Sequence, residues 1–466
     1  MKNLTIRNIA NACGGELTGN EKEFDTEVCG VVIDSRKIEK GYCFIATPGE
    51  RVDGHSFIPD VLEKGASCVI CREVPTGLSG NFIKVHDSFD ALRKVAAFYR
   101  EQLTIPVIGI TGSVGKTSTK EFIAGTLSAK YRVLKTEGNY NNDIGVPQTL
   151  LRIRDTDEAA VVEMGINHFG EMRLLSSMVK PDLCVMTNIG ECHLEFLGDR
   201  EGVLKAKSEI FEHMAAEGRV FVNGDDDMLR TIELVKGKAP VRFGLDEANA
   251  YHVTDLTVSG LKGSDATIHT PTSSFTVHVN LPGKHMVQNA LAATAVGEAL
   301  GLTTEEIRRG IESVRPLGGR SNILTLGAMT VIDDCYNANP VSMRAALDLL
   351  SEEGKTMAIL GDMFELGQDE SELHGAIGRY AVEKGIKALV CVGNLSKAMY
   401  KEACREKEKR LSNTMVQYYE APEEVLEQFD NPDFLPGGVT VLVKASHGMH
   451  FDMLVSRLKE LGSRSV

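Results

Sequence analysis

The chain has 466 residues, with 51 Lys plus Arg against 65 Asp plus Glu and a formal charge of −14. At about 150 residues per domain this length predicts three domains with sizeable cores, and the acidic balance excludes a protein that tracks nucleic-acid phosphates or an anionic membrane. A hydrophobic share of 42% with 25% charged residues excludes a wholly disordered, collagen-like or coiled-coil chain.

Residues 1–15 carry Arg7 and several Asn without a continuous apolar stretch, and nowhere do about 18 apolar residues run together. Neither export nor membrane spanning is expected, and a cytoplasmic location follows. Ten cysteines run from Cys13 to Cys404. The close pair Cys68 and Cys71 sits in an apolar, strand-like run with no second pair to complete a zinc site, so reduced core thiols are expected.

In chain order, residues 1–103 show short strand-like pieces at 28–33, 42–46 and 67–71 and end in a helical stretch at 88–102, a small mixed α/β domain. From 104 to 314, apolar strands at 105–110, 159–163, 183–187 and 220–222 alternate with helices, which predicts a parallel sheet with crossover connections. A more polar, β-like stretch at 250–281 and an Ala-rich helix at 285–300 read as an insertion in this middle domain. From 315 to 466, after the turn-like Pro316-Leu317-Gly318-Gly319, strands at 329–332, 357–360, 388–392 and 439–443 predict a second doubly wound, Rossmann-like domain. The fold class is α/β with three domains.

The strongest chemical signal is the run from Ile108 to Ser118, a strand entering Gly112-Ser113-Val114-Gly115-Lys116-Thr117 and then a helix. Glycines let backbone amides close on phosphate oxygens, and the helix N-terminus adds positive potential. Lys116, expected on a solvent-facing loop, can reach the β and γ phosphates, and the Thr117 hydroxyl suits magnesium. Ile110 replaces the first glycine of the usual phosphate-loop spacing, and a chance glycine turn is the alternative. In an open α/β sheet, metal ligands project from the C-terminal ends of neighbouring strands. Glu163 ends one such strand, and residues 183–187 lead through Asn188-Ile189-Gly190 to His193, so a carboxylate and an imidazole can face the phosphates with magnesium between them. A helix cap or surface carboxylate is the alternative for Glu163.

A helix is predicted over 199–214. Val203, Lys207, Ile210, Phe211 and Met214 recur at spacings of 3 and 4, whereas Lys205 shares its face with Glu201, Ser208 and Glu209. Lys207 therefore lies on the buried stripe, either snorkelling to its edge or desolvated with a lowered pKa, in which case its neutral amine can add carbon dioxide and become a metal-binding carbamate. Further along, Gly318-Gly319-Arg320 opens the last domain, and Asp333-Asp334-Cys335-Tyr336-Asn337-Ala338-Asn339-Pro340 leads from a strand into a helix. Arg320 reaching a γ-phosphate from a second domain would couple closure to chemistry. The carboxylates and amides suit ribose and peptide groups, with a polar turn and N-cap as the alternative.

Taken in order, these residues resemble the Mur ligases, ATP-dependent amide-bond-forming enzymes of peptidoglycan synthesis. The likeness spans all three blocks. It rests on Asp34-Ser35-Arg36 and Asp53-Gly54-His55 in the first. In the second it rests on the glycine loop, the run Gly138 to Pro147 with Asn141 and Asn142, Glu163-Met164-Gly165, Thr187-Asn188-Ile189 with His193, and Lys205-Ala206-Lys207. In the third it rests on Gly318-Gly319-Arg320 and the run Asp333 to Pro340.

The resemblance implies that Gly112, Ser113, Val114, Gly115, Lys116 and Thr117 hold ATP phosphates, that Thr117 and Glu163 bind one Mg2+, and that His193 with carbamylated Lys207 serves a second. It implies Asn289 at the adenine, Arg320 at the γ-phosphate and Asp334 at the nucleotide. Ser35, Arg36, Asp53 and His55 would seat the UDP end of the substrate, and Asn141, Asn142, Tyr336, Asn337 and Asn339 the rest. Met286 stands where many relatives have Asn, and Lys444-Ala445-Ser446-His447-Gly448 where they have Lys-Gly-Ser-Arg. The implied reaction joins D-alanyl-D-alanine to a UDP-N-acetylmuramoyl-tripeptide, the chain acting as a cytoplasmic monomer. A related ligase adding another unit, such as a folylpolyglutamate synthetase, and a regulatory ATP-binding protein are the alternatives.

Overall fold

The computed structural model describes residues 1–49, 52–431 and 433–464, and among them four sheets form. The first contains β1 (Glu16–Thr18), β2 (Gly30–Val32), β3 (Tyr42–Ile45), β4 (Cys68–Cys71) and β5 (Phe82–Lys84), in the order β1-β5-β4-β3-β2 with only β1 antiparallel. The ten cysteines are free thiols, and both Cys68 and Cys71 are buried in β4.

The central sheet is wholly parallel. It contains β6 (Val107–Thr111), β7 (Val133–Lys135), β8 (Ala159–Glu163), β9 (Leu183–Met186), β10 (Arg219–Asn223) and β11 (Val241–Phe243), ordered β11-β10-β9-β6-β8-β7. β6, β8 and β9 are buried throughout. Helices cover both faces of such a sheet, so its inner strands read as unbroken apolar runs.

The stretch expected as an insertion forms β12 (His252–Val258), β13 (Ser264–His269) and β14 (Ser274–Val279), a small antiparallel sheet. Val253, Ile268 and Val279 enter the same core as helices Lys116–Leu127 and Lys284–Ala299. It is thus a structural layer of the central unit and not an appendage to it.

The last sheet contains β15 (Asn322–Leu326), β16 (Met329–Asp333), β17 (Thr356–Gly361), β18 (Ala388–Val392), β19 (Met415–Tyr419) and β20 (Thr440–Lys444). Its order is β15-β16-β20-β17-β18-β19, with β15 antiparallel and the others parallel. Separate apolar cores pack on its two faces, the doubly wound arrangement expected.

Helix Ser88–Glu101, capped by Asp87, ties the first sheet to the central one. Tyr99 donates its hydroxyl to Ile153 O at 2.8 Å, and Arg100 donates to Val179 O at 2.7 Å and to Asp182 at 2.9 Å. A continuous core follows that helix from Leu4 to Leu229. No helix among the described residues is long and apolar enough to cross a membrane.

After β17 the chain turns toward the central unit through residues 362–367, and this turn is braced from behind. Met363 N donates to His374 Nε2 at 2.9 Å, His374 Nδ1 donates to Glu370 O at 2.6 Å, and Phe364 N donates to Ser446 Oγ at 2.9 Å. A carbonyl only accepts, so the buried His374 ring carries its proton on Nδ1 and is neutral. Burial holds its pKa below the ordinary imidazole value, outweighing Glu370 and Asp362.

The unfolded chain therefore binds this proton more readily. The contribution of the neutral ring is fully present above the ordinary imidazole pKa and is lost as pH falls from there toward the folded value. His374→Ala should be less stable than the parent by about 2 kcal/mol at pH 7.5, and denaturant titrations should show that difference narrowing toward pH 5. A difference that stays constant with pH would contradict this reading of the ring.

Candidate active site

The loop between β6 and helix Lys116–Leu127 is shaped by two glycines, Gly112 at φ 148° and Gly115 at φ 81°. A Cβ at Gly112 would lie 2.0 Å from Thr187 Oγ1, so no other residue fits there. The loop is fastened to the end of β9. Ser113 N donates to Asn188 O at 2.9 Å, Val114 N to Asn188 Oδ1 at 2.8 Å, and Thr187 Oγ1 to Val114 O at 2.6 Å. Lys116, expected on a solvent-facing loop, is half-buried and faces the cavity described below. Its ammonium folds over the loop and donates to Gly112 O at 2.8 Å and Ser113 O at 3.3 Å. Burial chiefly lowers its pKa; Glu163 opposes this, and Arg320 adds to it.

Glu163 ends β8 beside this loop and is 1% exposed. Its Oε2 accepts from Thr117 Oγ1 at 2.8 Å and its Oε1 from Asn141 Nδ2 at 2.8 Å. Lys120 Nζ lies 3.8 Å away and donates to Thr136 O at 2.8 Å. Glu163 is thus neither a cap nor a surface residue. Asn142 Oδ1 accepts from Gly145 N at 2.8 Å and opens helix Gly145–Leu151.

The helix expected over 199–214 is shorter. Asp199 caps helix Arg200–Ser208, and a 3-10 turn, Glu209–Phe211, continues it. The predicted stripe is buried all the same, with Val203, Lys207 and Ile210 each at 0% exposure, while Lys205 is exposed and lies over the Phe169 ring at 5.9 Å. Among the described residues, Lys207 Nζ has no hydrogen-bond partner. It is not a snorkelling lysine, and its pKa is pushed down to about 8 by desolvation first, with Lys116 adding to the shift and Cys192 opposing it.

His193, at φ 53°, is held below the ordinary imidazole range mainly by burial. Its hydrogen bond to Glu365 opposes that shift, and the nearby Lys207 and Lys116 reinforce it.

The last sheet closes the site from the other side. Gly319 N donates to Asp333 Oδ2 at 3.0 Å and Ser321 N to Asp334 Oδ1 at 2.9 Å, which sets the turn carrying Arg320. Lys444 Nζ, almost fully buried, donates to Asp334 Oδ2 at 2.6 Å and to Asn337 O at 2.8 Å. The Arg320 guanidinium stacks 3.9 Å from the Tyr336 ring centre, and His447 faces that ring from 5.4 Å. Asn339 caps helix Pro340–Ser351 by accepting from Ser342 N at 2.9 Å, the N-cap role weighed for this run.

Most of these groups surround one cavity of about 890 Å³ between the carboxyl ends of the central and last sheets; Gly112 and the fully buried Lys207 lie behind its wall and do not line it. Ser113 to Thr117, Asn141, Asn142, Glu163, His193, Asn289, Arg320, Asp334, Tyr336, Asn337 and Asn339 all line it. Asn289 is committed within its wall: Oδ1 accepts from Thr119 Oγ1 at 2.8 Å, and Nδ2 donates to Met286 Sδ at 3.5 Å, so the variant Met286 supplies an acceptor.

Ser35, Arg36, Asp53 and His55 are not in the cavity. Arg36 pairs with Asp34 at 2.9 Å, and His55 sits between Asp53, 2.7 Å from its Nδ1, and Arg72 N, which donates to its Nε2 at 2.9 Å.

Three participants escaped the sequence reading. Lys120 had a signal, since it follows Lys116 by one helical turn on the face toward Glu163. His285 and Glu365 had none, because what places them is contact between distant segments: Asp334 and Lys444 act electrostatically on His285, and Glu365 bonds His193.

No group of three or more His, Cys, Asp or Glu side chains converges as a metal cage among the described residues. The donors present still fit Mg2+, which takes one or two protein oxygens and completes its shell with water and phosphate. Thr117 and Glu163 supply such oxygens at the mouth of a phosphate loop, and the unpartnered Lys207 Nζ lies near the imidazole of His193.

Comparison with known proteins covers nearly the whole chain. Residues 27–100 match the model for the Mur ligase family, catalytic domain; residues 110–297 that for the Mur ligase middle domain; and residues 319–447 that for the Mur ligase, glutamate ligase domain. A UDP-N-acetylmuramoyl-tripeptide–D-alanyl-D-alanine ligase of Bacillus subtilis strain 168 is 36% identical over 462 residues, covering 98% of each chain. A crystal structure of MurF from Acinetobacter baumannii superposes with a TM-score of 0.86 at 33% identity, covering 98% of each chain. The MurF ligase of Thermotoga maritima, solved in complex with ADP, superposes at 0.81 with 27% identity, covering 94% of this chain and 98% of that one.

Proposed function

The chain belongs to the Mur ligase family, and from that premise we propose that it joins D-alanyl-D-alanine to a UDP-N-acetylmuramoyl-tripeptide with cleavage of ATP to ADP and phosphate. The observation that carries the reading is the single cavity in which a phosphate loop, the Thr117–Glu163 pair and an arginine from another sheet face one another. The domains divide at about 103/104 and 314/315, the first and last holding one sheet each and the middle one the parallel sheet and the small antiparallel one. The enzyme works in the cytoplasm as a monomer, the setting in which a soluble nucleotide-linked precursor and ATP meet.

A carboxylate is a poor electrophile, because its charge repels an amine and oxide is a poor leaving group. An oxygen of the tripeptide's terminal carboxylate attacks the γ-phosphorus of ATP, ADP departs, and an acyl phosphate forms. The free amine of the dipeptide then attacks the acyl carbon, and the tetrahedral intermediate expels phosphate as the amide forms. Lys116 and Arg320 approach the transferring group from opposite walls and stabilise charge as it moves. The amides at Ser113 to Thr117 hold the phosphate chain, and Asn289 lines the base pocket. Tyr336 holds the Arg320 guanidinium over its ring. Asn141, Asn142, Asn337 and Asn339 border the peptide end, and Ser35, Arg36, Asp53 and His55 seat the UDP end on the first domain. Water is excluded by the last domain resting on the central one, which protects the acyl phosphate.

Thr117 and Glu163 would hold one Mg2+, and His193 with Lys207 a second; the ions would neutralise phosphate charge in that cavity. Lys207 suits the second role as a carbamate. Its buried amine has no hydrogen-bond partner among the described residues, and its pKa of about 8 leaves a neutral fraction that can add carbon dioxide with loss of a proton.

The reaction is tested by phosphate release from ATP and UDP-tripeptide, with and without D-alanyl-D-alanine. Release that depends on the dipeptide is expected; dipeptide-independent release would favour a regulatory ATPase. Lys207→Ala should lose at least about 10²-fold in turnover and regain part of it with formate or acetate, while Lys205→Ala keeps most activity. Equal loss in the two variants, or the reverse ranking, would overturn the carbamate.

A further inference from the structure

A contact across the cavity remains without a role in this account. His193 Nδ1 and Glu365 Oε2 are 2.5 Å apart, and they come from positions 172 residues apart in the chain. Both residues are held in the left-handed backbone region, His193 at φ 53° and Glu365 at φ 62°. Side chains with a Cβ avoid that region, and such outliers persist where the surrounding structure enforces them.

The enforcement at Glu365 is visible. Met363 N is fixed by His374 and Phe364 N by Ser446, so the loop is stiffened from within its own domain. Its tip, Gly367, lies so near helix Leu194–Leu197 that a Cβ there would be 3.3 Å from Glu195 N. A braced finger of the last domain thus reaches the segment that begins with His193.

The chemistry of the pair is directional. A carboxylate has no proton to give, so the hydrogen bond requires the proton on Nδ1 and leaves the Nε2 lone pair available. An imidazole without such a partner divides between two tautomers and turns about its side-chain bonds. A carboxylate behind a histidine is the usual means of fixing it as a metal ligand.

We propose that Glu365 is a positioning residue that fixes His193 as an Nε2 ligand while the last domain rests on the central one, so that domain closure completes the cation site served by His193. The inference rests on the reading of His193 as a ligand given above. Because the two events share one contact, cation binding at that site favours closure by the same factor by which closure favours binding.

The test uses the full chain with ADP and Mn2+ as the probe, following bound Mn2+ by its electron paramagnetic resonance and domain closure by small-angle scattering. The parent should show two classes of Mn2+ site and become more compact as the weaker one fills. Glu365→Ala should bind Mn2+ about 10- to 100-fold more weakly at that site, leave the Thr117–Glu163 site unchanged, and fail to compact. His193→Ala should lose the same site, and adding Glu365→Ala to it should cost nothing more.

Unchanged thermal unfolding of Glu365→Ala would accompany these results. Parent-like Mn2+ affinity at both sites in Glu365→Ala, or a single class of site in the parent, would overturn the proposal. Failure of the ligase reading would instead appear as phosphate release that ignores the dipeptide, a measurement independent of the Mn2+ titration.

Discussion

A carboxylate buried away from water must be paired or hydrogen-bonded, and Glu163 meets that requirement with partners from several parts of the central unit. Thr117 comes from the helix after the glycine loop, Asn141 from the segment that opens the next helix, and Lys120 from one turn further along the first. Its backbone N–H is held by Thr136 Oγ1 at 3.0 Å. Satisfying one charge therefore fixes the ends of β7 and β8 and the start of the phosphate-loop helix relative to one another. Leaving Thr117 or Asn141 unable to bond would strand a buried charge, so the geometry of the phosphate site and the stability of its sheet are the same problem.

The surroundings of the cavity oppose the charge of the chain as a whole. The protein carries a formal charge of −14, yet Lys116, Lys207 and Arg320 share one region: Lys116 disfavours the charged form of Lys207, and Arg320 that of Lys116. Desolvation is the leading cause of both shifts. Cations crowded in a place poor in water gain little from solvent and much from a polyanion. Nucleotide phosphates, or a carboxylate acquiring one, are the chemical groups that relieve this arrangement.

The parts of the fold legible in the sequence were those whose cause is local. Residues 159–163 read as an inner strand because a parallel strand covered on both faces must be apolar, and the structure begins and ends it at the same positions. Lys207 was placed on a buried stripe by spacing alone, although its helix stops at Ser208, because a 3-10 turn keeps Ile210 and Phe211 on the same side. The edge strands β7, β11 and β19 were not read. They are short and half-buried, and no apolar run marks them. Glu365 and His285 were invisible for a different reason: what they do depends on which domain surfaces meet. Asn339 shows that a polar residue at a loop end can cap a helix and line a cavity at once.

The central claim is that this cavity transfers phosphate to a carboxylate before the peptide bond forms. It is tested most directly by labelling the terminal carboxylate of the UDP-tripeptide with 18O and analysing the phosphate released in the presence of ATP and D-alanyl-D-alanine. The acyl-phosphate route predicts one labelled oxygen in each phosphate, matched by one amide formed. Phosphate that carries oxygen from solvent water and none from the tripeptide would contradict it.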